Sequence, residues 1–109
     1  VQALQVLHLY GMNKPILVLK FGSAVLAGAD GKTSAAAIRK IAEEAAALHK
    51  RYTIIVVSSG AVSSGKHFLQ QYKGTLAEKK AAAAIGNPIL IHLYQKYFSK
   101  HGITVAQAL

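Results

Sequence analysis

Two short apolar segments, separated by a helix pattern, constrain the fold of this chain more than any other feature. "PILVLKFG" (15–22) and "YTIIVV" (52–57) are runs of strand-forming residues, and the second is apolar at nearly every position, as in a strand covered on both faces. Between them, Ser34 is a plausible N-cap, and Ile38 begins a set of apolar residues at helical spacing. Strand, helix and strand with this connection predict a right-handed, parallel βαβ unit.

The rest of the chain continues the alternation. The pattern predicts helices over 61–72 and 76–86, then a further helix with Asn87 as N-cap, Pro88 at its first position and Gly102 just past its end. Residues 103–109 predict a third strand. We therefore expect an α/β fold, a three-layer open parallel sheet of Rossmann-like βαβ units that stops after its third strand. Residues 12–109 would form this domain, and residues 1–11 would be an extension, natural or artificial, upstream of a start at Met12.

Composition narrows the classes of partner. Thirteen Lys and Arg against four Asp and Glu leave a net charge of +9, but the basic residues are scattered, without a run or an aromatic-interleaved patch. We expect no nucleic-acid partner, and no membrane partner because no apolar stretch reaches the roughly 18 residues of a membrane span. The absence of cysteine excludes disulfides and thiolate metal sites, and it fits a reducing compartment.

Polar and glycine residues follow each of the first two strands. Lys20-Phe21-Gly22-Ser23 ends the first, and Ser58-Ser59-Gly60-Ala61 ends the second. In parallel α/β sheets ligands bind at the carboxyl ends of strands, and backbone N–H groups at a following helix attract anions. Because the two strands should be neighbours, we expect both loops to face one cleft for a negatively charged ligand.

The segment from Gly60 to Lys66 spells G-x-x-x-x-G-K, which is a phosphate-binding P-loop without its final hydroxyl residue, since His67 follows. A P-loop enzyme also needs a strand that ends in an aspartate for magnesium, and none of the four acidic residues ends a strand. A P-loop nucleotide hydrolase is therefore the weaker alternative. We expect Lys66 to lie in solvent on the outer face of its helix.

Four segments together resemble the amino-acid kinase family, at matching spacing from residue 16 to the end. The nearest pattern is that of the enzymes that phosphorylate the side-chain carboxylate of L-glutamate, although Lys80 and Asn87 stand where glutamine is usual. The four segments are "VLKFGSAVL" (18–26), "VVSSGAVSSGK" (56–66), "EKKAAAAIGN" (78–87) and "LIHLYQKYFSKHGITVAQAL" (90–109).

The resemblance implies a cytoplasmic enzyme that transfers the γ-phosphoryl group of ATP, with Mg²⁺, to L-glutamate in the first step toward proline. Lys20 would be catalytic and, with Gly22 and Ser23, would bind the ATP phosphates. L-Glutamate would be bound by the loop of Ser59, Gly60 and Ala61, with Ser58 either contributing or only capping the next helix.

No Mg²⁺ ligand is identifiable in the chain, and the remaining site residues of the family lie beyond it. We therefore expect the isolated chain to be inactive and to self-associate through exposed apolar surface. We also expect the protein to be a homo-oligomer. The alternative from another class is a non-catalytic anion-binding module of the same fold.

Overall fold

The computed structural model describes the backbone of residues 2–7 and the whole of residues 14–108. Four strands and four helices are present in these ranges. They are β1 (Gln2–Leu7), β2 (Ile16–Phe21), α1 (Ser23–Leu26), α2 (Ala35–Leu48), β3 (Thr53–Ser58), α3 (Ala61–Gly65), α4 (Leu76–Ser99) and β4 (Thr104–Gln107), with a 3₁₀ turn at Lys66–Phe68 after α3.

The predicted βαβ unit is present. β2 and β3 pair in parallel, in a register that runs from Ile16 opposite Thr53 to Phe21 opposite Ser58. α2 connects them, and the Ser34 hydroxyl accepts a hydrogen bond from the N–H of Ala37 at 3.1 Å, as expected of its N-cap. The α/β class and the parallel pairing of the first two predicted strands are confirmed.

The sheet also contains a strand that the sequence did not predict. Its order is β2-β3-β1-β4, and β1 is antiparallel to both of its neighbours. β3 and β4 therefore run in the same direction but do not pair with each other. The origin of residues 1–11 as an extension stays a prediction, but residues 2–7 occupy an interior position of the sheet.

The core lies on one face of this sheet, under α2 and α4. Ile54 and Val56 of β3 are fully buried there, while alternate residues of β3 are only partly buried. On the opposite face Ile16 and Val18 are 65% and 56% exposed. The described residues thus supply two of the three expected layers. The core residues contributed by the helices are Leu26, Ile38, Ile41, Ala42, Ala45, Leu90, Tyr94 and Phe98.

Two predicted helix boundaries are wrong. The helix predicted over 61–72 ends at Gly65, and the helices predicted on either side of Asn87 are one continuous helix with Pro88 inside it. Asn87 is therefore not a cap, and its side-chain oxygen is buried without a hydrogen bond in the described part of the chain. An interior proline costs about 3 kcal/mol. The helix continues because Gly86 on one side of Pro88 and Leu90 on the other are both buried against the rest of the domain.

α4 begins after Thr75, which forms a capping box with Glu78. Thr75 accepts a hydrogen bond from the N–H of Glu78 at 3.2 Å, and Glu78 accepts one from the N–H of Thr75 at 3.0 Å. Hydrogen bonds from the backbone and the hydroxyl of Thr75 hold the pKa of Glu78 below its ordinary value. The predicted end of the helix is confirmed, because Gly102 has a φ of 69° just after it.

Candidate functional site

The loops after β2 and β3 lie side by side at the carboxyl ends of the strands. The N–H of Ser59 donates a hydrogen bond to the carbonyl of Phe21 at 3.0 Å, which ties the two loops together. This N–H is consequently used within the protein, and Ser59 can offer a ligand its hydroxyl. The predicted proximity of the two loops is present in the structure.

A cavity of about 350 Å³ opens at this edge of the sheet. It brings together four of the six residues expected to form the site, namely Ser23 from the first loop and Ser59, Gly60 and Ala61 from the second. Its remaining lining residues are Ser58, Val62, Ser63, Lys66, Tyr72 and Ala83.

The cavity wall at Gly60 depends on glycine. Gly60 immediately precedes α3 with a φ of 112°, a left-handed conformation that L-residues with a Cβ rarely adopt. Its carbonyl accepts a hydrogen bond from the Thr33 hydroxyl at 3.2 Å. Thr33 also hydrogen-bonds the Ser64 hydroxyl at 2.6 Å, so that the loop before α2 is fastened to the beginning of α3. Sequence reasoning missed Thr33, because its partners lie about 30 residues away and no local pattern marks them.

Ser58 is held inside the protein and does not cap a helix. Its hydroxyl donates to the carbonyl of Ser59 at 2.8 Å and accepts from the Tyr94 hydroxyl at 2.7 Å. Only 1% of Ser58 is exposed, and Tyr94 is fully buried. Burial raises the pKa of Tyr94, and the hydrogen bond with Ser58 partly opposes that effect. The pair joins the end of β3 to the middle of α4, and it thereby sets the position of the Ser59 loop.

Lys20 and Gly22 complete the predicted set but do not line the cavity. Lys20 is exposed and follows Ile16 and Val18 at every second position of β2. The three side chains therefore share one face of the sheet, the face opposite the helices. Gly22 is exposed at the start of α1, with a φ of −84° and no atom within 4 Å of a Cβ built there. Neither its backbone conformation nor its protein neighbours require a glycine at this position.

The G-x-x-x-x-G-K segment is not an open phosphate loop. Residues Ala61–Gly65 form α3, and Gly65 is buried where α3 crosses α4. A Cβ built on Gly65 would lie 1.9 Å from the carbonyl oxygen of Ala82, and a Cβ on Gly86 would lie 1.8 Å from that of Ala61. Both glycines are therefore required by the close contact between the two helices.

The expectation for Lys66 is wrong. Lys66 follows α3 at the start of the 3₁₀ turn, is partly buried and lines the cavity. The prediction assigned Lys66 to the outer face of a helix that continued to Tyr72. Lys66 instead lines the cavity together with Val62 and Ser63, which are four and three residues before it, and Tyr72 also lines it.

Residues 14–108 and the backbone of 2–7 bring no three His, Cys, Asp or Glu residues together as a metal site. Among these residues no helix is long and apolar enough to cross a bilayer.

Comparison with known proteins identifies the family of the chain. The chain matches the description "Amino acid kinase family" over residues 15–109. It is similar to proteins named "Glutamate 5-kinase" from Syntrophus aciditrophicus, at 39% identity over 89% of this chain and 26% of that protein, and from Clostridium tetani, at 38% identity over 85% and 36%. The protein of that name from Trichlorobacter lovleyi is 40% identical over 85% of this chain and 26% of its own length. The chain thus spans about a quarter to a third of these relatives, and it belongs to the amino acid kinase family.

Proposed function

We propose that the protein phosphorylates the side-chain carboxylate of L-glutamate with ATP, and that this chain supplies the glutamate loop and one edge of the phosphate site. A carboxylate oxygen would attack the γ-phosphorus of ATP and form glutamyl 5-phosphate, while the bond to the β-phosphate oxygen breaks and ADP leaves. The proposal rests on family membership and on similarity to proteins named "Glutamate 5-kinase".

The observation that carries the proposal is the shared cavity of Ser23 with Ser59, Gly60 and Ala61. The first loop would place a hydroxyl beside the phosphates, and the second would place a hydroxyl and backbone groups beside the amino acid. A phosphoryl acceptor and donor must meet within one enclosed site for transfer, because catalysis here is mainly positioning and charge stabilisation.

Lys20 would supply the positive charge. It stands near the carboxyl end of β2, two residues before Gly22, and its exposed side chain on the open face of the sheet would have to extend over this edge to reach the phosphates. The transition state of phosphoryl transfer spreads negative charge over the phosphoryl oxygens, which a lysine stabilises. The open space around Gly22 would allow a phosphate to approach the backbone closely.

Mg²⁺ would accompany ATP. The described residues hold no cluster of carboxylates or histidines for it, so its ligands would be the phosphates, water and residues outside the described part of the chain. No step of the proposal is assigned to a metal ligand of this chain.

The activity test uses the full-length protein in which this sequence occurs. We expect ADP release that depends on L-glutamate, and we expect Lys20→Ala to lower kcat by a factor of about 10² to 10³, the usual loss for one charge-stabilising donor. Thermal unfolding should be unchanged, since Lys20 is exposed. Lys79→Ala, at an exposed lysine of α4, is the matched control.

Two outcomes would contradict the proposal. Absence of glutamate-dependent ADP release from wild-type protein that still binds L-glutamate would favour the non-catalytic anion-binding module. Equal activity of Lys20→Ala and Lys79→Ala would remove Lys20 from the mechanism.

We further propose that the protein is a cytoplasmic homo-oligomer and that the 109-residue chain alone is inactive and self-associates. The open sheet face exposes Ile16 and Val18, and Val25 of α1 is 57% exposed. Exposed apolar surface of this kind favours association. Light scattering that showed a monodisperse monomer would contradict the expected association of the chain.

A further inference from the structure

Lys66 is the cationic side chain among the described residues that line the cavity, and the proposed function assigns it no role. It lies at the end of α3 opposite to Gly60, six positions along the chain, or about 9 Å at 1.5 Å per residue. Ser59 and Gly60 therefore stand at one side of the cavity and Lys66 at another.

No acidic side chain neutralises Lys66 within the described part of the chain. The ammonium group of Lys66 makes no hydrogen bond or ion pair there. Asp30 accepts from the N–H of Lys32 in its own turn, and Glu78 accepts from the backbone of Thr75 and Lys73. The remaining two acidic residues, Glu43 and Glu44, are exposed on α2.

A partly buried ammonium group without a counter-ion is a position that favours an anionic ligand. Removing a charge from water is costly unless it is paired, and hydrogen bonds between charged groups are about twice as strong as neutral ones.

We propose that Lys66 binds the α-carboxylate of the amino-acid substrate and so determines which end of it faces the phosphoryl donor. This inference rests on the proposed function. In this proposal the side-chain carboxylate faces Ser23 and the phosphates, and the α-carboxylate at the other end of the substrate is held by Lys66. The hydroxyls of Ser63 and Tyr72 line the same side of α3 and the following loop.

The test is a binding experiment on the full-length protein in which this sequence occurs, with ¹³Cε-labelled lysine and ¹⁵N-labelled glycine observed by NMR. Lys66→Met identifies the Lys66 signal, and the Gly60 amide reports on the proposed glutamate loop. The probes are L-glutamate, L-glutamine, whose side-chain carboxylate is replaced by an amide, and L-isoglutamine, whose α-carboxylate is replaced.

We expect L-glutamate and L-glutamine to shift both signals, and L-isoglutamine to leave the Lys66 signal unmoved. Lys66→Met should weaken the affinity for L-glutamate by about tenfold or more, the loss typical of a charged hydrogen bond. Lys66→Arg should restore most of it, and Lys79→Met, the control at an exposed lysine, should leave it unchanged. Circular dichroism melts should show the three variants folded.

The outcomes separate this inference from the proposed function. A Gly60 shift without a Lys66 shift would overturn the role of Lys66 and leave the glutamate loop intact. If L-isoglutamine shifts the Lys66 signal and L-glutamine does not, the proposed orientation of the substrate is wrong. No shift of either signal at saturating L-glutamate would overturn both proposals.

Discussion

Gly65→Ala should destabilise the domain strongly, because the crossing of α3 and α4 leaves no space for a methyl group. The added Cβ would lie 1.9 Å from the carbonyl oxygen of Ala82 and 2.7 Å from the N of Gly86. Both neighbours are backbone atoms of α4, so no side-chain rotation relieves the contact. Ordinary contact begins at 3.4 Å, and the helices must therefore separate by about 1.5 Å.

Separation of that size loosens the contacts of α3 with α4 and strains the Thr33 hydrogen bonds to Ser64 and Gly60. Overpacking of a tight core costs about 1–3 kcal/mol, and the better helix propensity of alanine returns at most about 1 kcal/mol. A net loss of about 2 kcal/mol, at roughly 4–8 °C per kcal/mol for a domain of this size, lowers Tm by about 8–16 °C.

The measurement is urea and thermal unfolding followed by circular dichroism, with Gly22→Ala as the matched control. Gly22 has a negative φ and no atom within 4 Å of the added Cβ, so its substitution should change the free energy of unfolding by no more than about 0.5 kcal/mol. Equal stability of Gly65→Ala and wild type would refute the helix-contact role of Gly65 and reopen the phosphate-loop interpretation.

Two further substitutions test the contacts that position the site. Tyr94→Phe should lower the free energy of unfolding by about 1 kcal/mol, since the hydrogen bond to Ser58 is lost. Because the pKa of Tyr94 in the folded state is raised above 10.0, the stability that its protonated hydroxyl contributes is complete below that pH and is lost as the pH rises through the folded-state pKa. The decrease in the free energy of unfolding at alkaline pH, measured by urea unfolding, should therefore be smaller in Tyr94→Phe than in the wild type. Identical pH profiles of the two proteins would contradict this. Thr33→Val should cost about 1–2 kcal/mol, because it removes the hydrogen bonds to Ser64 and Gly60, whereas Thr33→Ser should retain most of the stability. Equal chemical denaturation midpoints for the two variants would show that the hydroxyl is not responsible.

The sequence predicts β2, α2 and β3 well because their signals are local. Alternating or continuous apolar residues, a serine cap and helical spacing all act within a few residues, and α2 begins immediately after Ser34 as expected. The proximity of the two loops also follows, since adjacent parallel strands present their carboxyl ends at one edge.

Local rules fail where a long-range contact outweighs them. Pro88 predicts a helix start, yet α4 passes through it because packing on both sides offsets the missing hydrogen bond. The packing of α3 against α4 also explains Gly65. Local spacing assigns this glycine to a phosphate loop, whereas in the tertiary structure it lies where the two helices cross.

The amino-acid sequence by itself determined the α/β class, the parallel unit and the two loops of the family, since these depend on periodicity and on residue types at fixed spacing. Only the tertiary structure decided which side chains enter the cavity. Lys66 and Tyr72 line it, whereas Lys20 lies on the sheet face opposite the helices. The length of a helix and the face of a strand depend on packing against distant residues, and no local pattern records those partners.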